Sequence, residues 1–157
     1  VRVHPEWLDK QRLPPGKRGK SFWKQRYEDI NNFELHLANS GTKILKFFLN
    51  VSKQEQKKRF LERLDRPDKN WKFSPADLTE RRYWDDYMQA FEDAIEATST
   101  EYAPWHVIPA DHKWVTRAIV ADIITATLKS LDLKYPEVSA EQQQALAEAR
   151  QQLMAEK

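Results

Sequence analysis

Apolar residues in this chain recur at helical spacing over long stretches and gather into short continuous runs at two places. From Ser21 onward, Phe22, Tyr27, Ile30, Phe33 and Leu37 form an apolar stripe among polar neighbours, the pattern of one helix face. Ser40-Gly41 supplies the glycine stop signal. "TKILKFFLNV" (Thr42 to Val51) is short, apolar and bounded by breakers, so it predicts a buried strand. Ser52 with Glu55 three residues on reads as a capping box, opening a helix to about Leu64 that Pro67 stops. Ser74 as N-cap, Pro75 at the first helical position and Asp77 in the first turn start another helix. On it Trp84, Tyr87, Met88, Phe91 and Ile95 keep helical spacing, with Asp85, Asp86, Glu92 and Asp93 off that stripe. "WHVIPA" is a second short strand. Asp111 then caps a helix carrying Val115, Ile119, Ile123 and Leu128, ended by Tyr135-Pro136. The Ala- and Gln-rich tail from Ser139 reads as a loosely attached helix or frayed end. Helix, strand, helix, helix, strand, helix is an α/β order, here a mostly helical portion with about two parallel strands. Two parallel strands make a poor sheet, so further strands are expected outside this chain.

Composition narrows this picture only modestly. The chain has 157 residues, room for one domain with a core. Lys and Arg number 26 against 24 acids, a net charge of +2, so partners must be read from where the charges lie. There is no cysteine, which removes disulfides, thiolate metal sites and cysteine nucleophiles and agrees with a reducing cytoplasm. No run of about 18 apolar residues and no secretory signal is visible, so the expected location is cytoplasmic with no membrane partner. The chain opens on "VRVHPEW", which reads as the interior of a larger protein, and "PPGKRGK" reads as an exposed basic loop.

Charge does concentrate in one place. Lys57, Lys58, Arg59, Arg63, Arg66, Lys69 and Lys72 fall within one helix and the turn after it, diluted by Glu62, Asp65 and Asp68. Arg59, Arg63 and Arg66 share one face if the helix continues that far. Two readings stand. One is a solvated face with weak surface pairs. The other is a polyanion-binding ridge in which guanidinium forks and lysine point charges grip successive phosphates. Trp71, inside the turn, is expected to anchor it in a core. Other chemistry is sparse. His4, His36, His106 and His112 show no metal-ligand spacing, GxSxG is absent, and Asp85-Asp86 project differently from a helix. The aromatic residues mostly fall at core spacing and read as packing.

Three phrases, "LKFFLNVS", "DRPDKNWKFS" and "APWHVIPA", resemble the polyphosphate kinase 2 family, and the likeness runs from Val1 to about Pro136. It resembles the single-domain forms that accept AMP and ADP. The resemblance implies a P-loop kinase fold related to thymidylate kinase over residues 1–138, with 139–157 a polar tail. It implies phosphate transfer between inorganic polyphosphate and AMP, ADP or ATP with magnesium (Mg2+), and a homo-oligomeric intact enzyme. It places a lid at about 53–82, with Arg59, Arg63, Arg66, Lys69, Lys72 and Arg81 as polyphosphate-binding candidates and Arg82 beside them. Asp111 and Lys113 would approach the nucleotide. The sequence departs from the family in one respect. Its three glycines, Gly16, Gly19 and Gly41, build no GxxxxGK loop, and "PPGKRGK" has no strand before it. Catalytic and magnesium-binding residues are therefore not assigned, and the chain is expected to be a C-terminal half, inactive alone. Two alternatives remain at this point: a basic helical nucleic-acid module, and a regulatory subunit pairing with full-length kinase chains. The sequence pI of about 8.7 falls short of the guide value of about 9 for the former, so nucleic acid is not the expected partner.

Overall fold

The computed structural model describes residues 1–16 and 18–156; Lys17, part of the predicted basic loop, lies outside the described residues. The chain divides into two compact units, Val1–Asp122 and Ile123–Lys157.

The first unit is built on two parallel strands, β1 (Lys46–Asn50) and β2 (Trp105–Pro109), paired in register from Lys46 opposite Trp105 to Asn50 opposite Pro109. Before β1 comes α1 (Lys20–Asn39). Between the strands run α2 (Lys53–Asp65), a 3-10 turn (Pro67–Lys72), α3 (Pro75–Glu80), a second 3-10 turn (Arg81–Tyr83) and α4 (Trp84–Thr98). After β2 comes α5 (Lys113–Ser130), which crosses from the first unit into the second.

Both predicted strands exist, though β1 is only the apolar centre of the predicted run. The helix expected from Ser74 onward is broken. Ser74 caps it as foreseen, its hydroxyl accepting from Ala76 N at 3.3 Å, but the Arg81–Tyr83 turn splits α3 from α4. The stripe predicted for α1 is turned partly outward, and Phe33 is 63% exposed. Polar bonds set its rotation instead. Asn31 Nδ2 donates to Ala97 O at 3.0 Å, and Glu34 pairs with Lys46 at 2.7 Å. The first-unit core is thin. Leu8, Ala103, Ile108 and Ala110 are its buried apolar side chains among the described residues, while Leu49 and Val107 on the strands are 50% and 54% exposed.

In the second unit, α5 stops at Ser130, before the predicted Tyr135-Pro136, because Asp132 takes a left-handed conformation (φ 44°) that ends the helical run. Ser139 and Gln142 then form a capping box that opens α6 (Ala140–Ala155).

Candidate functional site: the cationic corner at the strand ends

The carboxyl ends of the two strands are stapled together before the corner begins. Ser52 caps α2, its hydroxyl accepting from Glu55 N at 3.0 Å. The other half of the predicted capping box is replaced. Ser52 N–H donates to Asp111 Oδ1 at 2.7 Å, and the Glu55 carboxylate turns to Arg59 at 2.9 Å. Asp111 therefore does not spend its carboxylate on capping α5, as the sequence suggested. It ties the end of β2 to the start of α2, and these hydrogen bonds from Ser52, with Arg59 nearby, hold its pKa below the ordinary value. Arg59 completes the staple, donating to the carbonyls of Ala110 (2.7 Å) and Asp111 (3.1 Å). Its guanidinium is spent on backbone and on Glu55, so Arg59 acts here as an anchor for α2. A cleft of about 440 Å³ opens at this end, lined by Asn50, Ser52, Pro109, Asp111 and His112 among others.

The turn beyond α2 is pre-folded by its own side chains. Asn70 Nδ2 donates to the carbonyls of Arg63 (2.7 Å) and Leu64 (2.8 Å), closing the last turn of α2. Trp71 does not anchor the corner, contrary to expectation. It is 79% exposed, and its indole N–H is satisfied within the turn by Asp68 O at 3.1 Å. Asn70 carries the anchoring role, and nothing in its spacing marked it.

The cations then separate into two kinds. Arg66 forks onto Asp68 at 3.1 and 2.8 Å, and Lys69 sits 2.5 Å from Glu62. These bonds hold both carboxyl groups below their ordinary pKa. For Glu62 the Lys69 bond and charge lead, with Lys113 and Arg66 adding; for Asp68 the Arg66 fork leads. Arg66 is not on the α2 face with Arg59 and Arg63. The helix ends at Asp65, and Arg66 is extended (φ −110°, ψ 110°) because Pro67 forbids helical backbone before it. Arg63, Lys72 and Arg81 have no carboxylate partner among the described residues. Arg63 lies over the Phe60 ring at 5.6 Å and Lys72 over Trp71 at 4.9 Å. Arg81 reaches neutral Gln56 at 2.6 Å and stands 5.9 Å from the Trp84 ring. Arg82 is exposed. Behind the corner a cleft of about 360 Å³ is lined by Asn50, Gln56, Phe60, Asp77, Arg81 and Trp84 among others.

The base of α3 is fixed from outside the corner. The Glu80 carboxylate accepts from Tyr87 (2.6 Å) and lies 2.8 Å from His4 Nε2. Tyr87 is pushed up from 10.0 to about 12 by that bond and by burial, and Glu80 is lowered by Tyr87 and then His4. The scattered histidines gave no sign of this. A residue 76 positions upstream of its partner leaves no local pattern to read.

What arrangement of this kind is already known? A family model described as polyphosphate kinase 2 matches residues 18–150. The chain belongs to the polyphosphate kinase 2 family. It is 52% identical over 155 residues to the ADP-polyphosphate phosphotransferase of Rhodopseudomonas palustris, covering 98% of this chain and 54% of that one. It is 53% identical over 115 residues to the AMP/ADP-polyphosphate phosphotransferase of Meiothermus ruber, covering 73% of this chain and 43% of the relative. An uncharacterised protein of Leptolyngbya boryana is 58% identical over 134 residues, 85% of this chain and 98% of its own length. The crystal structure of polyphosphate kinase 2 from Arthrobacter aurescens superposes with a TM-score of 0.79 at 44% identity, over 93% of this chain and 48% of that one. The chain thus spans about half the length of the named phosphotransferases it matches. Its mostly helical architecture with two parallel strands matches about half of that solved chain.

Proposed function

We propose that this chain is the lid-bearing part of a polyphosphate-dependent nucleotide kinase with the P-loop kinase fold, transferring phosphate between inorganic polyphosphate and AMP or ADP. One observation carries the reading. Arg63 and Lys72 rise on either side of a pre-folded corner next to the strand ends, and neither has a carboxylate partner among the described residues. Cations held over aromatic rings, rather than spent on acids, keep their charge for an incoming anion. Asn70 pins the corner to the last turn of α2, so the cations are ordered in place before a polyanion arrives and can exclude water from the transferring phosphate and stabilise its charge. Arg81, aimed into the cleft behind the corner, would meet the phosphate from the other side. Arg66 and Lys69 shape the corner through Asp68 and Glu62, and Asp111 and Lys113 border the nucleotide side.

Kinases of this family work with a divalent metal. Among the described residues no group of three or more His, Asp or Glu stands together to hold one. The chain also contains no GxxxxGK, and it is not expected to turn over alone.

The test is phosphate transfer from long-chain polyphosphate to AMP or ADP with magnesium. It is run on the chain alone and on the chain joined in frame to the part of the Rhodopseudomonas relative that it does not cover. The expected result is no turnover alone and roughly 1–100 per second for the fusion. Turnover by the lone chain would overturn the division of labour. A fusion that folds but ignores polyphosphate, while the full relative uses it, would overturn the function.

A further inference from the structure

The opening segment holds a second concentration of cations that the corner does not use. Arg2, Arg18, Lys20 and Lys24 line a cleft of about 560 Å³ with Trp23, Tyr27 and Asp93. The one acid there is committed to Arg2. Lys24 has only a loose pair with Glu28 at 3.7 Å, and Arg18 and Lys20 have no carboxylate partner among the described residues. Arginine planes and aromatic rings interleave. Arg18 lies 5.4 Å from the Phe22 ring and Arg2 5.3 Å from Trp23, while Arg26 is 4.9 Å from Phe22 and 5.7 Å from Trp23. Tyr27 lines the same cleft, and its hydroxyl is buried without a hydrogen-bond partner. The first turn of α1 has no acidic residue and its Gly19 cap offers no side chain, so the positive end of the helix dipole adds to the cluster uncompensated.

The position of the cleft follows from the packing. Asn31 of α1 bonds Ala97 of α4, and the two helices run side by side toward the amino ends of the strands. Counting back from that contact at 1.5 Å per residue, Lys20 lies roughly 16 Å up α1 and Trp84 roughly 20 Å up α4. Trp84 shares the cleft behind the corner with Asn50 and Val51, the carboxyl end of β1. The cationic start of α1 therefore lies at the same end of the sheet as the corner. A ligand that meets both must be anionic and extended.

We propose that this cluster is a second polyanion station, which grips a long polyphosphate at a distance from the end held by the corner. The inference rests on the polyphosphate reading of the corner. It makes chain length a determinant of affinity, because only a long chain reaches both stations, and the second engagement is then intramolecular.

The experiment measures binding of long-chain polyphosphate and of tripolyphosphate to the full chain, and reads the ratio of the two affinities. In the parent the ratio favours the long chain. In the Arg18→Ala/Lys20→Ala variant it falls roughly tenfold, since two phosphate contacts are lost from the long chain only. The Arg18→Lys/Lys20→Arg variant keeps the charges and keeps the ratio. Arg63→Ala/Lys72→Ala lowers both affinities and preserves the ratio. An unaltered ratio in a folded Arg18→Ala/Lys20→Ala protein overturns the second station and leaves the corner standing. An unaltered tripolyphosphate affinity in Arg63→Ala/Lys72→Ala overturns the corner, and with it the second station that rests on it. If a single-stranded RNA of equal phosphate count binds more tightly than polyphosphate and loses its binding in Arg18→Ala/Lys20→Ala, the cluster is a nucleic-acid site and the proposal is wrong.

Discussion

Two pairs of cations at one corner have opposite electrostatic histories. Arg66 and Lys69 meet Asp68 and Glu62 at 2.8 and 2.5 Å, so much of their field is cancelled where it arises. Arg63 and Lys72 rest against ring faces, whose quadrupole attracts the cation without removing its net charge. The same acids that order the turn therefore oppose an incoming polyanion. Removing one should help binding. Asp68→Asn keeps the size of the side chain, releases Arg66 and deletes a negative charge. Its expected effect is a rise in polyphosphate affinity of a few-fold at low salt, shrinking as salt screens the exposed charges. Titration of both proteins at two ionic strengths checks this, and a loss of affinity in Asp68→Asn would mean that order in the turn outweighs charge.

At the scale of elements, the lock between His4, Glu80 and Tyr87 holds the amino-terminal segment to the base of α3 and α4. Its pH dependence follows from two opposite shifts. Glu80 lies below its ordinary 4.5, so its contribution is complete above that value and is lost as pH falls through the lowered one. Tyr87 is raised from 10.0 to about 12, so its contribution is complete below 10.0 and is lost as pH rises toward 12. The gap in thermal midpoint between the parent and Glu80→Gln should be widest between those limits and close on acidification. A gap that persists well below pH 4.5 would contradict the lock. Elements of this kind divide cleanly by legibility. Ser52 and Ser74 announce their helices because a cap is a local contract between near neighbours, whereas the capping box at Ser139 opens a helix where the sequence suggested only a loose or frayed one. Both strands show as apolar runs for the same local reason. The Arg81–Tyr83 break, the rotation of α1 and the redirected Asp111 were not legible. Each is decided by a partner far along the chain: Gln56 for Arg81, Ala97 for Asn31, Ser52 for Asp111. Among site residues the cations were legible by type. Their division into paired and unpaired was not, and Trp71 was misread because its N–H finds a partner inside its own turn.

For the whole molecule, the balance of surface is the main fact. Leu49 and Val107 on the two-stranded sheet are about half exposed, and among the described residues of the first unit only Leu8, Ala103, Ile108 and Ala110 are buried apolar side chains. Exposed strand edges and apolar faces are templates for pairing with other chains. The isolated chain should associate reversibly at micromolar concentration, which sedimentation velocity over a concentration series would reveal. A single monomeric species throughout would show that its surface is tolerated as it stands. The central claim, that Arg63 and Lys72 hold polyphosphate, has a more direct test. Polyphosphate affinity is measured against salt for the parent and for Arg63→Ala/Lys72→Ala. Each phosphate contact contributes about 0.7 to the slope of log affinity on log salt for a single-stranded polyanion. The account predicts an affinity loss of roughly a hundredfold or more, from about 1.5–3 kcal/mol for each of the two charge-assisted contacts, and a slope shallower by about 1.4. Equal affinities and equal slopes in the two proteins would contradict it.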